Sequence, residues 1–108
     1  MMNIEQYEIV IVNLDPTIGS EMKKTRPCLV ISPNEMNLYL QTIVIAPITS
    51  TSKSYPTRVE ISTNNVDGWI VLDQIRSIDR SRVVSKLDKL KPDIIKKVKM
   101  IINEAYVE

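Results

Sequence analysis

Arg26 and Thr49 are the two residues whose types and surroundings best suit chemistry on a phosphate. Arg26 precedes proline in Thr25-Arg26-Pro27. Proline disfavours the α conformation in the residue before it, so Arg26 is expected to be extended, at the start of a strand and on the rim of the fold. A guanidinium stays protonated near neutrality. It is suited to clamping a phosphate or stabilising a phosphorane-like transition state, and equally to a rim ion pair with Glu21 or another carboxylate. Thr49 and Ser50 lie in Ala46-Pro47-Ile48-Thr49-Ser50-Thr51-Ser52, directly after an apolar run. Hydroxyls there either hydrogen-bond phosphate oxygens or satisfy a turn. A third segment, Asp67-Gly68-Trp69 through Asp73-Gln74-Ile75-Arg76, supplies a tryptophan, an amide and an arginine near a strand end. Trp69 reads there as core or interface before base-stacking platform.

Composition removes other chemistries. The 108 residues contain no histidine, which excludes Ser-His-Asp catalysis, paired-histidine nuclease chemistry and histidine-built metal sites. Two glycines are too few for a glycine-rich phosphate loop. Asp67 with Asp73, and Asp15 with Glu21, lack the spacing of a metal cage, so neither metal nor cofactor is expected. The single cysteine, Cys28, sits in an apolar run and is expected to be buried packing. It cannot close an intrachain disulfide, and the N-terminus lacks a basic stretch followed by an apolar core. No apolar run approaches a membrane span of roughly 18 residues, so a cytoplasmic chain without a membrane partner is expected.

The net charge of +1 is unevenly spread. Residues 74–100 hold nine Lys and Arg against three acids, a local charge of +6. Such a tract either faces an anionic partner or is a solvated helix surface.

These residues must be positioned by a mainly β chain, because Ile and Val make up about a quarter of it and cluster in short runs. Strands are expected from Tyr7 to Leu14, Cys28 to Ser32, Thr42 to Pro47, Thr57 to Ile61 and Trp69 to Leu72, with a short strand or turn near residues 81–84. Alternation in the fourth predicts one buried and one wet face. Residues 17–25 read as an exposed, charged loop. Pro92 and Asp93 suit a first helical turn, and Ile94, Ile95, Val98, Ile101, Ile102 and Ala105 recur at helical spacing. The expected fold is one domain over 1–108, a small SH3-like barrel of five to seven strands with a C-terminal α-helix.

In order, Leu14-Asp15-Pro16-Thr17-Ile18-Gly19-Ser20-Glu21, Thr25-Arg26-Pro27, Ala46-Pro47-Ile48-Thr49-Ser50, Ser54-Tyr55-Pro56, Asp67-Gly68 and Asp73-Gln74-Ile75-Arg76 resemble the MazF/PemK toxins of bacterial toxin-antitoxin pairs. The resemblance implies the CcdB/PemK-type barrel and a homodimer. It also implies metal-independent cleavage of single-stranded RNA at short sequences, and neutralisation by an antitoxin. It implies that Arg26 and Thr49 are catalytic, and that Ser20, Glu21, Lys24, Ser50, Gln74 and Arg76 contact substrate. The family often opens its first strand with Gly-Asp, where this chain has Tyr7-Glu8.

That activity is compatible with the absence of histidine. RNA carries its own nucleophile, the 2'-hydroxyl, already held near phosphorus, so the protein has mainly to align and stabilise. Two other readings stay open from sequence: a CcdB-like gyrase poison, against which the missing C-terminal tryptophan counts, and a non-catalytic SH3-like RNA-binding module.

Overall fold

The computed structural model describes residues 3–14 and 25–107. Among the described residues there are seven strands: β1 (Glu8–Asn13), β2 (Thr25–Val30), β3 (Thr42–Thr49), β4 (Arg58–Ser62), β5 (Asp67–Val71), β6 (Arg76–Asp79) and β7 (Val83–Lys89). A short helix α1 (Asn34–Tyr39) joins β2 to β3, and α2 (Pro92–Ile102) closes the chain through a final π-type turn (Asn103–Val107). All pairings are antiparallel, in the order β4-β5-β3-β2-β1-β7, with β6 also on β3. The result is a curled half-barrel. At its seam, Thr63 and Asn65 of the β4–β5 turn donate to the Asp88 carboxylate of β7, at 2.7 and 3.2 Å.

β3 organises the sheet. One edge pairs with β2 from Cys28↔Pro47 to Val30↔Ile45. The other edge carries β6 along residues 42–45 and β5 along residues 48 and 49. Pro47 falls in the gap between those two partners, where a missing N–H breaks no bond on that edge. Prolines were expected to bound the second and third strands, but both run past them. Pro27 lies inside β2, opposite Ile11 and just before the β3 pairing begins.

Strand alternation divides the apolar residues between two cores, one on each sheet face. Ile9, Leu29, Ala46, Ile48, Val59, Ile61 and Ile70 pack on one face, beneath Ile94, Ile95, Val98, Ile101 and Ile102 of α2. Val10, Val12, Cys28, Val30, Ile43, Ile45 and Ile78 form the second core with Ile4 and Leu14. Burial on both faces explains the unbroken apolar runs of β1 and β3, whereas β4 alternates as expected, with Val59 and Ile61 buried. The first strand begins at Glu8, a buried carboxylate held by the Glu5 N–H (2.7 Å) and Lys86 (3.0 Å).

Helix α1 was not anticipated. Six residues give too short a window for periodicity, and its stability comes from specific polar bonds. The buried Asn37 amide donates to the Ser32 carbonyl (2.9 Å) and accepts from the Ser32 hydroxyl, whose oxygen accepts from the Val44 N–H. Arg80 donates to the carbonyls of Asn37 and Leu40 at the helix end. The strand expected near residues 81–84 extends to Lys89, and β6 precedes it.

Gly68 is required by a close approach. A Cβ there would stand 2.5 Å from the Thr49 carbonyl oxygen and 3.1 Å from Cγ2 of Ile48. Since the obstacle is backbone, relief needs β3 or β5 to shift. Gly68→Ala is therefore expected to destabilise the protein by about 1–3 kcal/mol, read from urea unfolding. Burial pushes the Cys28 thiol up to about 12, against the opposing charges of Arg26 and Arg76. A raised thiol pKa stabilises the fold below the unfolded thiol's pKa, and that contribution is lost as pH rises toward 12. Native Cys28 should resist iodoacetamide at pH 8 and react once urea unfolds the chain, as intact mass will show.

Candidate active site

A cavity of about 210 Å³ opens where β2 begins, β3 ends and β5 begins, lined by Thr25, Arg26, Pro27, Ile48, Thr49, Ser50 and Asp67. Continuing the Cys28↔Pro47 register by two residues sets Arg26 opposite Thr49, on one sheet face. Three of the expected site residues, Arg26, Thr49 and Ser50, are thus brought together from positions more than twenty residues apart. Arg26 lies in extended backbone and is exposed, as its place before Pro27 predicts. It is the only cationic residue lining the cavity among the described residues.

Both readings of the hydroxyl stretch have support. Thr49 Oγ1 donates to the Thr51 carbonyl at 3.1 Å, which is turn chemistry, yet the same side chain borders the cavity. Its oxygen keeps lone pairs as acceptors, and a rotation about χ1 exchanges the carbonyl for another acceptor. The loop that follows is tied down by Arg58, which donates to Ser52 Oγ (2.7 Å) and lies 4.8 Å from the Tyr55 ring centroid. Arg58 also pairs with Asp73 at 3.4 Å, and Thr57 donates to the same carboxylate at 2.9 Å. Slight burial acts upward on the Asp73 carboxyl, and the bonds from Arg58 and Thr57 outweigh it and hold its pKa below the usual value.

The other expected site residues fall elsewhere. Arg76 pairs opposite Ile45 on the same sheet face as Cys28 and Arg26, outside the cavity. Gln74 is exposed in the 3₁₀ turn beside Asp73 and does not line the cavity. Ser20, Glu21 and Lys24 lie outside the described residues. From sequence, Asp67 is a candidate only for a metal site, one whose spacing does not fit. In the structure its carboxylate borders the cavity and accepts from the Ser62 hydroxyl across the β4–β5 pair. The only local signal for it was the Asp67-Gly68 pair.

The basic tract is largely engaged or turned away. Arg80 holds α1, Lys86 and Lys89 pair with Glu8 and Glu5, and Lys99 lies 5.8 Å from the Tyr7 ring centroid. Lys96 and Lys97 are exposed on α2, which packs on the sheet face opposite that of Arg26, Cys28 and Thr49. No helix among the described residues is long and apolar enough to cross a membrane.

Comparison with known proteins gives this geometry a context. Residues 5–106 match the family described as PemK-like, MazF-like toxin of type II toxin-antitoxin system. The chain is 35% identical over 97 residues to the endoribonuclease toxin MazF of Escherichia coli (strain K12), a match spanning 89% of this chain and 87% of the relative. It is 33% identical over 103 residues to the endoribonuclease EndoA of Bacillus subtilis (strain 168), covering 90% and 89%. Among solved structures, it superposes on a chain of the MazE-MazF crystal structure (Form-II) from Deinococcus radiodurans with a TM-score of 0.83. The identity there is 29%, with 96% of each chain covered. With the half-barrel, the C-terminal helix and the ordered sequence elements in agreement, the chain belongs to the PemK-like, MazF-like toxin family of type II toxin-antitoxin systems.

Proposed function

We propose that this protein is a sequence-specific, metal-independent endoribonuclease toxin of single-stranded RNA. The observation that carries the reading is the cavity that joins Arg26, Thr49 and Ser50 across β2 and β3. The substrate's 2'-hydroxyl attacks the adjacent phosphorus, the bond to the 5'-oxygen of the next nucleotide breaks, and the products are a 2',3'-cyclic phosphate and a 5'-hydroxyl. Arg26 holds the non-bridging oxygens and stabilises the pentacoordinate state, where charge accumulates. Thr49 releases the Thr51 carbonyl to donate to a phosphate oxygen. Ser50 supplies a further hydroxyl at the cavity edge. Gln74 and Arg76, together with Ser20, Glu21 and Lys24, extend contact to flanking nucleotides.

The whole chain, 1–108, acts as one toxin domain in the cytoplasm, where its RNA substrate lies, and works as a homodimer neutralised by a cognate antitoxin. The two subunits form a shared groove, and an antitoxin segment that is disordered when free occupies it and excludes RNA. The exposed Leu38 and Tyr39 of α1 leave an apolar patch suited to a second copy of the chain. The gyrase-poison reading draws less support, because relatives that match over most of the chain are named endoribonucleases.

Wild-type protein is expected to cut single-stranded RNA in excess chelator and to leave a DNA copy intact, since DNA lacks the 2'-hydroxyl. Arg26→Ala should lower kcat by about 10²-fold or more, and Thr49→Ala by roughly tenfold, in single-turnover assays on a labelled oligonucleotide. Failure of the wild type to cut RNA in chelator, or undiminished cutting by Arg26→Ala, overturns the reading.

A further inference from the structure

The row of side chains that holds Arg26 and Thr49 continues beyond the cavity. Thr49 stands opposite Trp69, and Trp69 opposite Glu60, so one line crosses β2, β3, β5 and β4 on a single sheet face. A second groove, of about 440 Å³, runs along this end of the row and is lined by Glu60, Ile61, Ser62, Gly68 and Trp69. It shares Ser50 and Asp67 with the Arg26–Thr49 cavity. Two strand spacings separate Arg26 from Trp69, roughly 10 Å.

The chemistry of the two compartments differs. No lysine or arginine lines the second groove among the described residues, while Glu60 and Asp67 do, so a phosphate is disfavoured there. Trp69 is partly buried and borders the groove with an aromatic surface. Asp67 is engaged by Ser62, but the Glu60 side chain is exposed and has no hydrogen-bond or ion-pair partner among the described residues. A free carboxylate beside an indole matches a flat heterocycle with adjacent N–H donors on its edge. Guanine offers N1–H and the N2 amino group together, and the two carboxylate oxygens accept both. Adenine and cytosine offer one amino group, and uracil one ring N–H.

We propose that this groove is a guanine-reading subsite. Trp69 stacks the base, the Glu60 carboxylate accepts from N1–H and N2–H, and the neighbouring phosphate of the same RNA lies at Arg26. The proposal rests on the ribonuclease reading and adds to it the base preference of one position beside the cut. It gives Glu60 and Trp69 a role in specificity and none in bond breaking.

Trp69 is the only tryptophan, so intrinsic fluorescence reports on the groove directly. The probe is a short random 2'-O-methyl RNA pool, which cannot be cut, prepared once with guanosine and once with inosine, which lacks the N2 amino group. The guanosine pool is expected to quench Trp69 and to bind roughly tenfold more tightly than the inosine pool. Glu60→Gln should abolish that difference. Cleaved ends from a random RNA substrate should show guanine enriched at one position near the cut for the wild type, and no enrichment there for Glu60→Gln. Quenching that is equal for both pools, or a cleavage profile that Glu60→Gln leaves unchanged, overturns the subsite while Arg26-dependent cutting stands. Absence of cutting by the wild type overturns the ribonuclease reading instead, and the fluorescence arm still decides the groove.

Discussion

The double use of β3 is the constraint on which the rest depends. One edge of this eight-residue strand is given to β2, and the other is divided between β6 and β5. For two strands to share one edge, the chain between them must turn at the division, which it does in the 3₁₀ turn Leu72–Gln74. β5 must also cross the end of β3 closely, and Gly68 permits this because any Cβ there would meet the Thr49 carbonyl. The Thr49 backbone that carries the hydroxyl is thus held in place by the close approach of a different strand. Pro47 belongs to the same arrangement, since it occupies the gap where the edge changes partner.

The sheet carries different business on its two faces. One is closed by α2 and is largely apolar, which accounts for most of the buried Ile, Leu and Val. The other changes character along its length, from the second core around Val10, Cys28 and Ile45 to the polar row of Arg26, Thr49, Trp69 and Glu60. Arg26 therefore stands at the margin of a packed core, on backbone constrained by Pro27 and paired with β1. That placement suits a group meant to meet charge that develops at one point, because rigid support lowers the reorganisation needed at the moment of reaction. The cationic surface of α2 lies on the other face, so the local charge at the cavity comes from Arg26 opposed by Asp67, and not from the basic tract as a whole.

Such a site has little machinery because the substrate supplies much of it. With the 2'-hydroxyl already adjacent to phosphorus, the work left is to align the leaving oxygen and to hold the accumulating negative charge, tasks within the capacity of a guanidinium and a hydroxyl. What distinguishes one member of such a family from another then falls to the surroundings. In this chain the immediate surroundings are the Trp69–Glu60 pair and the loop of residues 50–56, which Arg58 fastens to Asp73.

Local signals in the sequence determined a good deal. β-branched runs marked five of the strands, the proline after Arg26 dictated its extended backbone, and helical spacing from Pro92 identified α2, because each depends on neighbours within a few residues. Absence of histidine and the single cysteine narrowed the chemistry before any fold was known. The tertiary structure alone decided the rest. α1 owes its existence to Ser32, Asn37 and Arg80 bonding across the fold, and β6 is a strand because β3 offers it an edge; neither leaves a periodic trace. Arg26, Thr49 and Asp67 meet through strand pairing over separations of eighteen residues or more, and the pairing energy resides in backbone groups that every residue carries. A sequence can therefore announce that a strand is present and which residues on it are reactive, while partner and register, which decide what stands beside what, are set only when the sheet closes.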